Sequence, residues 1–278
     1  MKFLKSLKHK FSRVFLSVIG IKRLNKIIRT LEVIKITANY GNSNTKLNNL
    51  FQDRIVYSGP FKGMVYPEFI SHGSALYSKL IGCYESELQV SIENLMKNKY
   101  DTIIDIGCAE GYYAVGMAIR QPQAKIYAID VNQNALNSCL KMAKCNNVDD
   151  RMNLVTFCDI EILSGMISGR TLIVSDCEGY EFELFTDKSI GNFRSCDLLI
   201  ELHDNENSNI SGTMKQLFNT THTYEHYYSM SDELKLYVQD SKFGYEIIKS
   251  FDSKTQYQAI TDLRAICTEW IVCKSNKN

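Results

Sequence analysis

The stretch that decides the fold is Asp101-Thr102-Ile103-Ile104-Asp105-Ile106-Gly107-Cys108-Ala109-Glu110-Gly111-Tyr112-Tyr113. A β-branched apolar run ends in an acid and passes through two glycines into the start of a helix. Gly107 permits a tight turn where a ligand can lie against backbone, and Gly111 opens the helix with no side chain in the way. Alone, such a loop says little. Its weight comes from the next apolar run, KIYAID (125 to 130), which ends in Asp130, 23 residues after Gly107. A carboxylate there can accept both hydroxyls of a ribose.

Outward from this stretch, short β-branched runs alternate with helical patterns. Helices are predicted from about Gly111 to Arg120 and from Asn134 to Cys145, and NLVTF (153 to 157), TLIVSD (171 to 176) and DLLIEL (197 to 202) continue the strands. This alternation predicts a doubly wound α/β fold, a mostly parallel sheet with helices on both faces. YEHYYSM (224 to 230) and EWIVCK (269 to 274) would close it as a terminal antiparallel pair, giving seven strands. Upstream, RIVYSGPFKGMVYPE (54 to 68) reads as two short strands, and Tyr84 to Lys97 as a helix. The expected organisation is a basic amphipathic helical arm (1–40), a cap or substrate region (41–98) and a cofactor-binding domain (99–278).

The formal net charge of +1 is a cancellation. Residues 1–31 hold nine Lys or Arg and no acid, while the rest carries 23 bases against 31 acids. Leu4, Leu7, Phe11, Val14, Val18 and Ile21 fall at helical spacing among those bases. Such an arm either packs on the body or lies on an anionic membrane. Its longest neutral apolar run, Val14 to Ile21, is far short of a span. The nine cysteines are odd in number and include no C-x-x-C pair, which points to free thiols in a reducing cytoplasm. An acidic body makes nucleic acid an unlikely partner.

The glycines also choose between cofactors. Gly107, Gly111 and Gly116 lack the G-x-G-x-x-G spacing that a pyrophosphate wants. The pattern acid-x-Gly-x-x-x-Gly followed by a ribose-binding acid instead resembles class I S-adenosylmethionine-dependent methyltransferases of Rossmann-like fold. That resemblance implies that Asp105, Gly107, Cys108, Ala109, Glu110, Gly111 and Tyr112 hold the amino acid end of the cofactor. Asp130 and Val131 would hold the ribose, and Cys158, Asp159 and Ile160 the adenine. Ala109 stands where the family often has a third glycine.

Two further strand ends carry chemistry. Ser175-Asp176-Cys177-Glu178-Gly179-Tyr180-Glu181 and Glu201-Leu202-His203-Asp204 together resemble the FkbM-type methyltransferases, whose members methylate hydroxyls, often on sugars. The acceptor implied is a sugar hydroxyl on a polysaccharide, glycolipid or related glycan; the alternatives are a small natural product, or a module that binds without transferring. An alcohol must lose its proton to attack a methyl group. His203 near its ordinary pKa is the expected base, Asp176 would face the methyl, and Glu178 and Glu201 would orient His203. Alternatively Asp176, Glu201 and His203 would ligate a divalent cation such as magnesium. Glu181 reads as an ordinary helix N-terminal acid. His72, beside Tyr77 and Lys79, marks a possible acceptor loop, and Tyr224, Tyr227 and Tyr228 could stack on a sugar.

Overall fold

The computed structural model describes residues 44–204, 209–237, 244–264 and 267–276. The basic arm, and with it the expected N-terminal helical extension, lies outside the described residues. Residues 44–262 and 267–276 form one compact unit around a seven-stranded sheet.

Strands β1 (Thr102–Ile106), β2 (Lys125–Ile129), β3 (Met152–Val155), β4 (Thr171–Ser175) and β5 (Cys196–Leu202) run parallel. Strand β6 (His222–Tyr228) pairs antiparallel with β7 (Glu269–Ser275), which returns antiparallel against β5. The order is β3-β2-β1-β4-β5-β7-β6, the mostly parallel sheet with a terminal antiparallel pair that the sequence pattern predicts. Every residue of β1, β4 and β5 is buried, because helices cover both faces. Successive side chains enter opposite layers. Ile103 and Leu172 join one apolar cluster, while Ile104, Ile173 and Leu198 join the other.

Before the sheet come α1 (Thr45–Leu50), α2 (Leu76–Ile81) and α3 (Gln89–Leu95). Within and after it lie α4 (Tyr112–Arg120), α5 (Gln133–Cys145), α6 (Ile160–Met166), α7 (Glu181–Leu184), α8 (Ile210–Phe218), α9 (Asp232–Tyr237) and α10 (Ser253–Ile260). None of the described helices is long and apolar enough to cross a membrane. None of the cysteines is bridged.

Two upstream expectations change. The strand pair expected in 54–68 is a single bridge, Ile55 to Val65. The chain turns at Gly59 (φ 76°) and Gly63 (φ 92°), and Gly63 N–H donates to Val56 O, leaving arms too short for a ladder. The helix expected from Tyr84 starts later, because Glu85 sits at φ 46° with its N–H donated to Asp262 Oδ2 at 3.2 Å. A 3-10 turn at Ser86–Leu88 then leads into α3. Gly116, in the middle of α4, leaves the space that Phe61 fills: a Cβ there would lie 2.4 Å from the Phe61 ring.

Candidate active site

The turn after β1 is held open by backbone geometry. Gly107 adopts φ 84°, and a Cβ on it would fall 1.8 Å from Asp176 O. Only glycine lets the β1 and β4 loops approach this closely. Two residues on, Ala109 takes φ 49°, a left-handed conformation that normally costs an L-residue about 1–2 kcal/mol. Its N–H donates to Asp130 Oδ2 at 2.9 Å, and Asn132 N–H donates to Asp130 Oδ1 at 2.8 Å. The carboxylate at the end of β2 is thereby fixed at the edge of the β1 turn.

A cavity of about 480 Å³ opens beyond the carboxyl ends of β1, β2 and β4. The β1 loop gives it Gly107, Cys108, Ala109 and Tyr112; the β2 end gives Asp130 and Val131. Phe157 and Cys158 come from beyond β3, and Asp176 to Glu178 with Tyr180 from beyond β4. Val131 is 81% exposed and Phe157 49%, so apolar side chains stand open at the mouth. The Phe157 and Tyr180 rings lie 6.1 Å apart. The opposite wall comes from the upstream segment: His72, Gly73, Ser74, Lys79 and Tyr84.

Of the residues assigned to the cofactor, five stand away from this cavity: Asp105, Glu110, Gly111, Asp159 and Ile160. Asp105 is 2% exposed and accepts the Ala114 N–H at 2.8 Å, capping α4. Burial pushes its carboxyl up to about 7, against the pull of that N–H. Glu110, equally buried, pairs with Lys79 at 2.6 Å and accepts from His72 N–H and Ser71 Oγ, both at 2.9 Å. Burial would raise it, yet the Lys79 charge and hydrogen bond hold it below the usual carboxylate range. Asp159 caps α6 by accepting Ile162 N–H at 2.9 Å, and Ile160 is the first residue of that helix.

Past β4 and β5, one histidine collects four carboxylates. His203 Nε2 lies 3.4 Å from Asp176 Oδ1, 3.5 Å from Glu201 Oε2 and 3.8 Å from Glu178 Oε2. Its Nδ1 donates to Glu181 Oε1 at 3.3 Å. Burial would lower the imidazole pKa. Hydrogen bonds to Glu181 and Glu201, with the charges of Glu201 and Asp176, outweigh it and push His203 up to about 11. The surrounding carboxylates favour the protonated imidazole, a direction opposite to the near-ordinary pKa expected of a general base. Asp176, raised by burial and by Glu201 beside it, lines the cavity together with Glu178. Glu181 is fully buried and accepts Cys177 N–H at 2.9 Å as well as the imidazolium. These bonds hold its carboxyl low although burial would raise it. It anchors His203 and is more than the helix-terminal acid its sequence position suggests. Asp176, Glu178 and His203 also present ligand atoms within 4.8 Å of one another.

The loop around His72 does border the cavity, through His72 and Lys79, whereas Tyr77 turns away to Asn48 Oδ1 at 2.8 Å. Tyr224, Tyr227 and Tyr228 lie on β6, at the sheet edge, and do not line it. The tyrosines that do are Tyr84, Tyr112, Tyr113 and Tyr180. Tyr112, Tyr113 and Tyr180 stand in the motif stretches, so Tyr84 is the one of the four that sequence spacing had no means of singling out. Phe157 lies at the end of a predicted strand, which could have signalled it.

A family model described as "Methyltransferase domain" matches residues 97–269. No curated protein matches the sequence. Among solved structures, a putative rRNA-methylase from Clostridium thermocellum is 9% identical, with a TM-score of 0.43 over 68% of this chain and 95% of that one. The O-methyltransferase TomG from Streptomyces achromogenes, in complex with SAM, is 9% identical, with a TM-score of 0.42 over 66% and 77%. A precorrin-6y C5,15-methyltransferase from Geobacter metallireducens is 12% identical, with a TM-score of 0.43 over 67% and 88%.

Proposed function

The chain belongs to the methyltransferase-domain family and is an S-adenosylmethionine-dependent methyltransferase; on that premise we propose that it methylates a hydroxyl oxygen, with a sugar in a polysaccharide, glycolipid or related glycan as acceptor. The observation that carries the reading is Asp176, a carboxylate of raised pKa on the cavity wall with Glu201 and His203 behind it. A carboxylate that holds its proton more tightly than usual is a stronger base once ionised.

The cavity fits the cofactor. Asp130, fixed by two backbone N–H groups, would hold the ribose hydroxyls, and Val131, Phe157, Cys158 and Tyr180 offer an apolar setting for the adenine. When bound, S-adenosylmethionine supplies an electrophilic methyl group, so the chain's tasks are alignment and proton removal. Asp176 takes the acceptor's proton. His203 is a positioning residue: its imidazolium, anchored by Glu181, favours the ionised form of Asp176. Asp176 and the largely exposed Glu178 can accept hydrogen bonds from neighbouring hydroxyls, which suits a sugar.

A second reading places a divalent cation on Asp176, Glu178 and His203, favoured by the convergence of their ligand atoms. Glu178 replaces the Glu201 of the expected ligand set. Turnover indifferent to a chelator removes this reading. The basic arm is proposed as a peripheral anchor on anionic membrane; deletion of residues 1–31 should then abolish co-sedimentation with anionic liposomes, and intact pelleting refutes it.

The deciding experiment is transfer of labelled methyl from S-adenosylmethionine onto glycan and small-molecule fractions, with identification of the product linkage. A methyl ether on a sugar supports the proposal. Label on nitrogen overturns it.

A further inference from the structure

We infer that Ser74 and Lys79, both outside the family-matched region 97–269, form the subsite that recognises the α-carboxylate of the cofactor's amino acid end. The inference rests on the cavity taking S-adenosylmethionine, and it assigns a part of that cofactor that the two acids of the β1 loop cannot serve. Asp105 is committed to Ala114 N–H and Glu110 to Lys79, His72 and Ser71, and both are acids. An ionised acid has no proton to donate to a carboxylate and repels its charge; the subsite needs donors and positive potential.

Charge along the wall orients the ligand. The acids lining the cavity are Asp130, Asp176 and Glu178, gathered at the β2 and β4 ends. Among the described lining side chains Lys79 is the one ammonium or guanidinium, and it comes from the upstream segment. The Lys79–Glu110 pair is polarised toward the cavity, because the ammonium lines it and the carboxylate lies behind. Both members are almost fully buried, so little water screens that dipole. The rings of Tyr84 and Tyr112, 4.8 Å and 5.3 Å from Lys79 Nζ, shape its surroundings further.

Ser74 supplies the contact. Lys79 Nζ donates to Ser74 Oγ at 2.7 Å and to Ser71 Oγ at 3.2 Å. Once Ser74 Oγ accepts from an ammonium, its own hydroxyl proton is polarised and free to turn outward. Its internal acceptors, Ser71 Oγ at 3.1 Å and His72 O at 3.4 Å, are long for an O–H donor. A carboxylate brought to this wall would take that proton as a charge-assisted hydrogen bond, with the ammonium one bond behind it. No covalent step is involved.

The test is calorimetric and does not use turnover. The full-length protein is titrated with S-adenosylhomocysteine, which carries the carboxylate, and with 5′-methylthioadenosine, which shares the nucleoside and thioether but lacks the amino acid. Ser74→Ala should weaken S-adenosylhomocysteine by tenfold or more and leave methylthioadenosine within twofold, and Ser74→Thr should restore most of the loss. Lys79→Met combined with Glu110→Gln, which removes both charges of the buried pair together, should weaken S-adenosylhomocysteine selectively as well. Unchanged S-adenosylhomocysteine affinity in Ser74→Ala, or an equal loss for both ligands, overturns the assignment. If the wild-type protein binds neither ligand, the cofactor reading itself fails, and that outcome is distinct from a lost difference between the two.

Discussion

The wall of the cavity that rises from β1 and β2 is shaped by backbone, whereas the walls facing it are shaped by buried charge. On the first, Gly107 and Ala109 adopt left-handed conformations and two N–H groups fix Asp130. On the others, Lys79 is set by Glu110 and Asp176 is set by His203, with partners 22 to 31 residues away in sequence or farther. Backbone devices rely on conformations and close approaches that few residues allow, so they leave a readable pattern of glycines and acids even where the partners are distant, as Ala109 and Asp130 are. Charge devices join distant elements and leave only scattered polar residues.

The contrast can be broken by substitutions whose consequences differ on the two sides. The largest effect is expected from Asp176→Asn, which removes the proton acceptor: turnover should fall by about a thousandfold while S-adenosylhomocysteine affinity in calorimetry stays within a few-fold. An equal loss of affinity would move Asp176 to cofactor binding. Asp130→Ala should do the reverse, weakening S-adenosylhomocysteine by roughly ten- to a hundredfold, as expected for charge-assisted hydrogen bonds; unchanged affinity contradicts the ribose assignment.

His203→Gln tests the charge device through pH. Asp176 must be ionised to accept a proton, and the imidazolium favours that ionised form. Removing it raises the Asp176 pKa, so the acid limb of the rate profile should move to higher pH, with roughly a tenfold loss of turnover at neutral pH. Complete loss at every pH would instead make His203 the base.

Asp105→Asn separates a structural acid from a binding one. In the fold its carboxyl is pushed up to about 7, above the unfolded value. Its contribution to stability is therefore full below the unfolded pKa and lost as pH rises through about 7. The variant, which keeps an acceptor for Ala114 N–H, should melt above the wild type at pH 8.5 and show no such advantage at pH 4. Its cofactor affinity should hardly change. The smallest effect belongs to Ala109→Gly, which relieves the left-handed strain and should stabilise the protein by up to about 1 kcal/mol in thermal melts.

Legibility follows the same division. The seven strands were readable because buried parallel strands are β-branched runs of fixed length, and the β1 turn was readable because only glycine fits where Gly107 meets Asp176 O. Asp105 and Glu110 were placed in the right loop, but spacing gives no account of what a buried carboxylate faces. Glu181 looked like a helix-terminal acid because nothing local reveals that His203, 22 residues later, folds back onto it. Tyr84 carries no motif at all.

The sequence by itself determined the sheet, the position of the cavity at its carboxyl edge and the set of acids that could do chemistry, since these depend on hydrophobic period and on glycine conformation. Tertiary structure alone decided which acids face the cavity, that four carboxylates gather around one histidine, and that Lys79 reaches the wall from a helix upstream of the family-matched region. Those properties arise from burial and from charges brought together across the chain, and a linear sequence does not record distance.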